Sequence, residues 1–307
     1  MGLCFPEYAR LRTVLMHSPG KELDLIRPTT YGRFLFADAI DQDRFREDHA
    51  SFVDVLRSEG VSVVLVGELL RQKPQLLASA ERLPNLVYLR DTAAVTRAGY
   101  VLARMSNPVR RSETGLVEAA LRQLGIEVLL KTKAPATIEC GDLIFFDEET
   151  LLVGVRNRTN MSGLRELRKI TTKSGLRTLA AVPLPRWAIH LDGTMMIIDR
   201  DLAIAHARSL GETALVFEDG KVSARVTALQ LLRKLGMSLI EITEYERQRR
   251  AANVIAIAPR KVVGYAGNAR VKRELVKNDV DFVEIEGAEL IRGFGGPRCM
   301  TLPILRG

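Results

Sequence analysis

Hydrophobic and polar positions repeat along this chain in one pattern, five times over. An amphipathic stretch with helical spacing ends in a glycine or polar turn, and a short β-branched apolar run follows. Glycine adopts the left-handed conformation that ends a helix with little strain, so each such turn indicates a helix end. The pattern predicts five helix–strand pairs, at residues 52–60 with 61–66, 115–125 with 126–130, 164–175 with 176–182, 227–236 with 237–242, and 270–279 with 280–285.

Pairs of apolar runs joined by short polar turns lie between these helix–strand pairs. The clearest are residues 143–146 with 151–155, 195–199 with 202–205, and 255–258 with 262–265, and each is typical of a β-hairpin. The repeating unit is therefore a hairpin, a helix and a strand. Repeats of roughly 40–65 residues indicate an array in which neighbouring units bury one another.

We predict a single domain over residues 1–307, folded as a five-bladed α/β propeller. Its units are roughly residues 1–70, 84–132, 133–183, 186–243 and 250–307. No Pro/Gly/Ser-rich linker divides the chain. We expect ligands at the central axis, where the units converge. The alternative is an ordinary α/β domain in which the spacing is coincidental.

Two units carry an acid and an arginine at equal spacing. Asp91 precedes Arg110 by 19 positions, and Glu139 precedes Arg158 by the same 19. Both acids stand where a hairpin begins, and both arginines stand just before a helix-start signal. A single acid of this kind is usually a turn or cap residue, and a single arginine is usually a surface group. The repetition indicates instead that equivalent edges of two units face one axis.

Three further positions join this set. The segment His190-Leu191-Asp192 opens another hairpin, and in a strand His190 and Asp192 would point to the same face. Asn253 and Asn268 occupy comparable positions in a later unit. Cys299 follows three glycines and an arginine, in the segment 292–303. A neighbouring cation favours the nucleophilic thiolate, although a lone cysteine is equally well explained as a small buried apolar residue.

An anionic pocket with a thiol suits one class of substrate. Carboxylates bind a planar guanidinium through paired, charge-assisted hydrogen bonds, which orient it and leave its carbon open to attack. Cysteine is the natural nucleophile, and a nearby histidine can serve as acid and base. Arg110 and Arg158 would then suit a carboxylate at the other end of the substrate, as in arginine. A metal is disfavoured, because no close ligand spacing such as His-x-x-x-His is present.

The composition limits the kinds of protein that this chain can be. The 307 residues are 47% hydrophobic and 27% charged, which fits a globular protein, and no apolar run has the length of a membrane span. The start of the chain lacks the layout of a signal peptide. Cys4, Cys140 and Cys299 are too few and too scattered for a disulfide framework, so a cytoplasmic location is expected.

The chain is basic, with a net charge of +8 and a sequence pI of about 9.6. Its densest basic cluster, residues 247–250, has no interleaved aromatic residues and no nucleic-acid motif accompanies it. A solvated basic surface explains the charge more simply, so nucleic acid is not expected as a partner.

With these motifs in order, the chain resembles the arginine deiminases of the guanidino-group-modifying, or pentein, superfamily. The resemblance runs nearly end to end, through residues 15–24, Arg90-Asp91, 110–114, 139–142, 158–159, 190–192, 264–265 with Asn268, and 298–303. It implies a five-bladed α/β propeller that hydrolyses L-arginine to L-citrulline and ammonia without metal or cofactor.

The resemblance also implies a role for each matching residue. Cys299 would be the nucleophile that forms a covalent amidino intermediate, and His190 the general acid and base. Asp91 and Asp192 would grip the guanidinium, with help from Glu139. The residues implied to bind the rest of the substrate are Arg110, Arg158, Asn268 and Arg298.

Some features depart from that family. Only residues 67–84 occupy the place of its usual inserted helical domain, Cys140 replaces a glycine, and Phe294 stands where some members have arginine. Dimethylarginine hydrolases and amidinotransferases therefore remain as alternatives, whereas agmatine deiminases fit less well because agmatine has no carboxylate. A ribosome-binding propeller without enzymatic activity is the alternative of another class. The partner expected is a small guanidino substrate, with no membrane association and with a homodimer or higher homo-oligomer as an option.

Overall fold

Five small sheets of one repeating design make up the molecule. The computed structural model describes residues 6–307, so Cys4 lies outside the described residues. Each sheet contains an antiparallel strand pair, and a further strand joins in parallel after a helical crossover. This is the hairpin–helix–strand unit that the sequence predicts, and the fold is a five-bladed α/β propeller.

The first two blades are joined by two short helices. The first contains β1 (Leu11–Met16), α1 (Gln42–Ser58) and β2 (Ser62–Leu65). The connection contains α2 (Val66–Leu69) and α3 (Pro74–Ala80). The second blade contains β3 (Ala93–Thr96), β4 (Gly99–Leu102), α4 (Glu113–Gln123) and β5 (Val128–Lys131).

The third and fourth blades are tied together by a hairpin. The third contains β6 (Leu143–Phe145), β7 (Thr150–Val155), α5 (Met161–Ile170) and β8 (Thr178–Pro183). The fourth contains β9 (Met195–Asp199), β10 (Leu202–Ala205), α6 (Ala228–Lys234) and β13 (Ser238–Glu241). Between β10 and α6 the chain forms β11 (Thr213–Glu218) and β12 (Lys221–Thr227), which extend the sheet of the third blade instead of their own. The sequence prediction did not include this hairpin.

The fifth blade follows α7 (Glu244–Gln248). It contains β14 (Ile255–Ala258), β15 (Lys261–Tyr265), α8 (Ala269–Lys277) and β16 (Asp281–Ile285). The final strand, β17 (Leu302–Arg306), pairs antiparallel with β1 and so belongs to the first blade. The predicted boundary of the fifth unit at residue 307 is therefore wrong, because the end of the chain supplies the partner strand that β1 lacks.

Helix ends lie where the turn residues place them. Glycines with positive φ follow four of the five predicted helices, at Gly60, Gly125, Gly175 and Gly236. The fifth helix is followed by Asp279, also at positive φ, which is a conformation that Asp tolerates better than most residues. At its start, α6 has a complete capping box between Thr227 and Gln230. These local signals explain why the ends of the predicted helices are observed to within a few residues. The start of the first was predicted wrongly, because α1 begins at Gln42, ten positions before residue 52.

Shared cores join each blade to the next around the ring. Val101 and Leu151 belong to one cluster across blades two and three, while Ile204 and Ala256 belong to another across blades four and five. The ring is closed by a cluster in which Leu11 and Val14 of β1 pack with Ile255 of β14. The ring is thus continuous, and the open ends of the blades face one axis. Within the described part of the chain, no helix is both long enough and apolar enough to cross a bilayer.

Candidate active site

Short turns at the starts of the hairpins bring the polar residues to the axis. Three of these turns are 3-10 helical, at Leu89–Asp91, Cys140–Asp142 and Leu191–Gly193. Cys299 lies in a turn just before β17. The predicted strand through residues 190–192 is therefore wrong in form, although His190 and Asp192 do line one cavity. A turn at each blade edge can point short side chains at the axis without disturbing the sheet behind it.

The cavity at the axis has two lobes that meet at Cys299 and His190. The larger lobe has a volume of about 400 Å³ and is also lined by Asp192, Asn253 and Arg250, among others. The smaller lobe has a volume of about 40 Å³, and its additional lining residues include Asp91, Arg110, Arg158, Asn85 and Tyr88. Both lobes are in addition lined by Ile189 and Phe294. A ligand that reaches Cys299 can thus extend to either side of it.

Cys299 is held by backbone and side-chain contacts on two sides. Its amide N–H donates to Asn253 Oδ1 at 3.2 Å, and its carbonyl accepts from the amide of Arg90 at 3.0 Å. Its Sγ lies 3.6 Å from Asp192 Oδ2. Gly296 makes the approach of Asn253 possible, because a Cβ at this glycine would lie 2.6 Å from Asn253 Oδ1. The sequence indicates Asn253 as a repeated position but does not predict it as part of the site.

Behind Asp192 lies a buried chain of three charges. Arg298 Nη1 donates to Asp192 Oδ2 at 2.9 Å, and Nη2 of the same side chain donates to Glu7 Oε1 at 2.7 Å. Arg298 has no exposed surface. Burial favours a neutral Glu7, but the charge of Arg298 outweighs it and lowers the pKa of Glu7 to about 2. Arg298 therefore fixes Asp192 from behind and does not line the cavity, which corrects its predicted position as a substrate-binding residue.

His190 lies between two carboxylates. Its Nε2 is 2.8 Å from Glu139 Oε2 and its Nδ1 is 3.4 Å from Asp91 Oδ1. Burial opposes the charged ring, but Asp91 and Glu139 outweigh it and raise the pKa of His190 to about 9. Burial likewise opposes the charge of Glu139, but His190 and Arg158 hold the pKa of this carboxyl well below its usual range. At neutral pH the site thus holds an imidazolium between two carboxylates.

The two equally spaced acid–arginine pairs are both ion pairs. Arg110 Nη1 lies 2.5 Å from Asp91 Oδ2, and Arg158 Nη1 lies 3.2 Å from Glu139 Oε2. Arg110 also donates to both oxygens of Glu113 and to two backbone carbonyls, so its donors are taken up by the protein. The equal spacing thus reflects the pairing of each arginine with the acid of its own unit, which the sequence analysis does not predict. Arg158, whose side chain is 17% exposed, is the freer of the two arginines.

Asn268 lies away from the cavity. Its Nδ2 donates to the carbonyl of Arg249 at 3.2 Å, and the side chain precedes helix α8. It lines neither lobe. The structure therefore brings together Cys299, His190, Asp91, Glu139, Asp192, Arg110 and Arg158, with Arg298 behind them, and leaves Asn268 outside.

Comparison with known proteins identifies the family to which this chain belongs. The arginine deiminase family profile matches residues 77–306, which is most of the chain. The chain belongs to the arginine deiminase family. Membership in this family makes the protein an amidinohydrolase.

Relatives of this family align with the chain almost throughout. An arginine deiminase of Bacillus cytotoxicus is 25% identical over 398 aligned positions, which cover 98% of this chain and 97% of the relative. One from Mycoplasma capricolum is 26% identical over 388 positions, covering 98% and 96%. These alignments are longer than the 307 residues of the chain, so both relatives contain segments that it lacks.

Solved structures share the fold. DDAH from Pseudomonas aeruginosa, complexed with citrulline, has a TM-score of 0.74 at 20% identity and covers 96% of this chain and 100% of that one. The N-terminal domain of ArgZ, an arginine dihydrolase of cyanobacteria bound to product, has a TM-score of 0.75 at 16% identity and covers 96% and 97%. At these identities the likeness supports the pentein fold alone.

Three side chains at the axis lie close enough together to act as metal ligands. Ligand atoms of Asp91, Glu139 and His190 lie within 4.8 Å of one another. Arg110 and Arg158 already bring positive charge to the two carboxylates, and a divalent cation would have to displace or oppose them. Because both carboxylates are already paired and His190 is protonated, the charge pattern does not favour a metal ion at these groups.

The glycine in the Glu139–Asp142 motif has a steric explanation. A Cβ at Gly141 would lie 2.7 Å from both Asp91 Oδ1 and His190 Nδ1. Gly141→Ala is therefore expected to displace the imidazole and lower kcat by about 100-fold, the loss typical of a misplacement of about 1 Å. Steady-state kinetics measure this. Gly115→Ala is the matched control, because a Cβ there meets nothing within 4 Å in helix α4; equal losses in both variants would contradict the steric explanation.

In the protein without bound substrate, the Cys299 thiol is expected to be neutral. Burial and the charges of Asp192 and Asp91 raise the pKa of Cys299 well above its usual value of 9.0. Without substrate, alkylation of Cys299 by iodoacetamide should therefore keep accelerating with pH and show no plateau below pH 9, as mass spectrometry of the Cys299 peptide can follow. Asp192→Asn should accelerate alkylation at neutral pH, since it removes a repelling charge. A plateau at or below neutral pH in the unaltered protein would contradict this.

Proposed function

We propose that this protein hydrolyses L-arginine to L-citrulline and ammonia through a covalent intermediate on Cys299. The observation that carries the proposal is the Cys299 Sγ, 3.6 Å from Asp192 Oδ2 and in a cavity shared with Asp91 and His190. A nucleophilic thiol that lies beside carboxylates, with a histidine near it as general acid, suits a cationic, planar substrate better than a neutral one.

The substrate guanidinium would bind between Asp91 and Asp192. Asp91 Oδ1 is buried and accepts no hydrogen bond from any of residues 6–307, so a guanidinium N–H would satisfy it. Asp192 would offer its Oδ1, while its Oδ2 is fixed by Arg298 at 2.9 Å. The bound cation would also cancel the negative field that keeps Cys299 protonated, so binding itself would release the thiol proton to solvent.

Two chemical steps follow from this arrangement. In the first, Sγ bonds to the guanidinium carbon, one C–N bond breaks, and His190 gives its proton to the departing nitrogen, which leaves as ammonia. In the second, His190 takes a proton from water as the water oxygen bonds to the same carbon. The C–S bond then breaks and the proton of the added hydroxyl passes to solvent, which releases neutral citrulline and the thiolate. Glu139, which is hydrogen-bonded to His190 Nε2, would hold the imidazole ring in place through both steps.

The arginines have different roles in this proposal. Arg110 would position Asp91, because all its described donors already have partners in the protein. Arg158, on the wall of the smaller lobe, would bind the substrate carboxylate. Asn268 and Arg298 are not assigned substrate contacts. The cytoplasm remains the expected location and a homo-oligomer remains an option.

The experiment that tests the function offers the purified protein four substrates separately: L-arginine, dimethylarginine, agmatine, and L-arginine with glycine. Citrulline and ammonia from L-arginine are expected. Turnover of dimethylarginine in preference to arginine would support a dimethylarginine hydrolase instead, and formation of a new guanidino compound with glycine would support amidino transfer. No turnover of L-arginine under any condition would refute the proposal.

Arg158→Gln is expected to raise KM for L-arginine by about 10–100-fold, which corresponds to one charge-assisted hydrogen-bond pair. Binding to a Cys299→Ser background, measured by calorimetry, separates this effect from catalysis. Agmatine lacks the carboxylate, so its affinity should change little and the preference for L-arginine over agmatine should shrink. Equal weakening of both ligands would remove Arg158 from the carboxylate site.

A further inference from the structure

The larger lobe contains an arginine with no anionic partner. Four arginines line the two lobes: Arg110, Arg158, Arg247 and Arg250. The first two are paired with Asp91 and Glu139, and Arg247 is paired with Glu244 at 2.8 Å while it stacks on Trp187 at 4.1 Å. Arg250 has neither an ion pair nor a side-chain hydrogen bond with any of residues 6–307.

The surroundings of Arg250 do not compensate its charge. Its Nε is buried without a hydrogen-bond partner, and its described side-chain contact is the ring of Phe294, 5.5 Å from the guanidinium carbon. Burial lowers the pKa of this arginine, which means that its charge is poorly solvated. Its backbone has φ of +59°, a conformation that is strained for a residue with a side chain. A cation in such a place is stabilised by an anion that binds in the lobe.

The charge of the lobe selects the kind of anion. A guanidinium accepts a carboxylate or a phosphate through paired hydrogen bonds. One unpaired cation neutralises one negative charge, and Asp192 on the same wall would repel the second charge of a phosphate dianion. A monocarboxylate is therefore the better match. The volume of about 400 Å³ exceeds by far what a single water occupies, and it leaves room for a small organic acid.

We propose that the larger lobe is a second ligand site, in which Arg250 binds the carboxylate of a small monocarboxylic acid on the opposite side of Cys299 from Arg158. The two lobes share only Ile189, His190, Phe294 and Cys299 among their lining residues, so the two carboxylate sites are distinct. A ligand held there would lie on the side of Cys299 where a second reactant can approach. This site does not depend on the proposed reaction, because it concerns binding alone.

The chain supplies its own reporter for this site. Trp187 is the single tryptophan of the sequence, and it lines the larger lobe with 47% of its surface exposed. Sodium acetate, titrated at constant ionic strength against sodium chloride, is expected to give a saturable change in tryptophan fluorescence. Sodium phosphate under the same conditions should give a weaker one. The Cys299→Ser protein is used so that no turnover intervenes.

Variants and competition decide the outcome. Arg250→Gln should weaken acetate binding at least about tenfold, as expected for loss of a charge-assisted pair, while the matched Arg158→Gln should retain it; circular dichroism checks that both are folded. Acetate should still bind when the protein is saturated with L-arginine. The proposal is overturned if fluorescence does not saturate, if Arg250→Gln binds acetate normally, if phosphate binds more tightly, or if L-arginine excludes acetate. The last result would make the Arg250 wall of the lobe part of the substrate site.

Discussion

Cys299→Ser is expected to lower kcat for L-arginine by at least about a thousandfold while the fold and substrate binding persist. A serine hydroxyl in the same place is a far weaker nucleophile than a thiolate, because the hydroxyl stays protonated at neutral pH. The backbone contacts with Asn253 and Arg90 do not involve the sulfur, so they should hold the serine as they hold the cysteine. Citrulline formation gives kcat, and calorimetry with L-arginine gives the affinity.

A covalent adduct provides the control for this variant. Acid-quenched reactions of the unaltered protein should yield an adduct on the peptide that contains Cys299, and none on the peptide with Cys140, which is fully buried in the core of blades two and three. The serine variant should give no adduct. An adduct on another residue, or substantial turnover by Cys299→Ser, would show that the nucleophile has been assigned wrongly.

Arg298→Met is expected to lower the free energy of unfolding by about 3–5 kcal/mol and to reduce kcat as well. The substitution leaves Glu7 and Asp192 buried without their common partner, and removal of one member of a buried ion pair is strongly destabilising. Asp192 would also lose the contact that fixes its Oδ2 beside Cys299. Urea denaturation and steady-state kinetics measure the two effects.

Two further variants test the reason for this loss. Arg122→Met is a matched control, because Arg122 pairs with Glu118 at the same 2.9 Å but has a side chain that is 66% exposed; little change in stability is expected there. Adding Glu7→Gln to Arg298→Met should recover part of the stability but not the activity, since Asp192 remains unsupported. Equal losses at Arg298 and Arg122 would contradict the role of burial.

Local signals in the sequence account for most of the repeated fold. The glycines after four helices and the alternating hairpins specify units of one design, and the equal spacing of Asp91 with Arg110 and of Glu139 with Arg158 places two acids at equivalent blade edges. His190, Asp192 and Cys299 follow from the same logic, since each precedes a strand at the axis. These features are predictable because each depends on residues close together in the chain.

Other features depend on contacts between distant segments and have no local signal. Glu7 contacts Arg298 although 291 positions separate them in the sequence, and neither residue's sequence neighbours indicate the partner. The β11–β12 hairpin joins the sheet of another blade, which its own alternating pattern does not specify. Arg250 belongs to a basic cluster that looks like a solvated surface, and only the packing around it shows that its Nε is buried without a hydrogen-bond partner among the described residues. Arg110 was expected to contact substrate because spacing shows equivalence between units but not which donors are already used.

The pairing of β17 with β1 also sets the order in which activity can appear during folding. At one end of this pairing Arg12 Nε donates to the carbonyl of Gly307, 295 positions away in the sequence, so the contact is among the least local in the chain. Contacts of this kind form slowly, because the loop between them must be closed first. Cys299 lies only a few residues before β17, so its thiol reaches Asp192 and its amide N–H reaches Asn253 when the first blade is completed. A partly folded chain would therefore hold its histidine and carboxylates without a nucleophile, and ring closure would be the step that makes the protein an active enzyme.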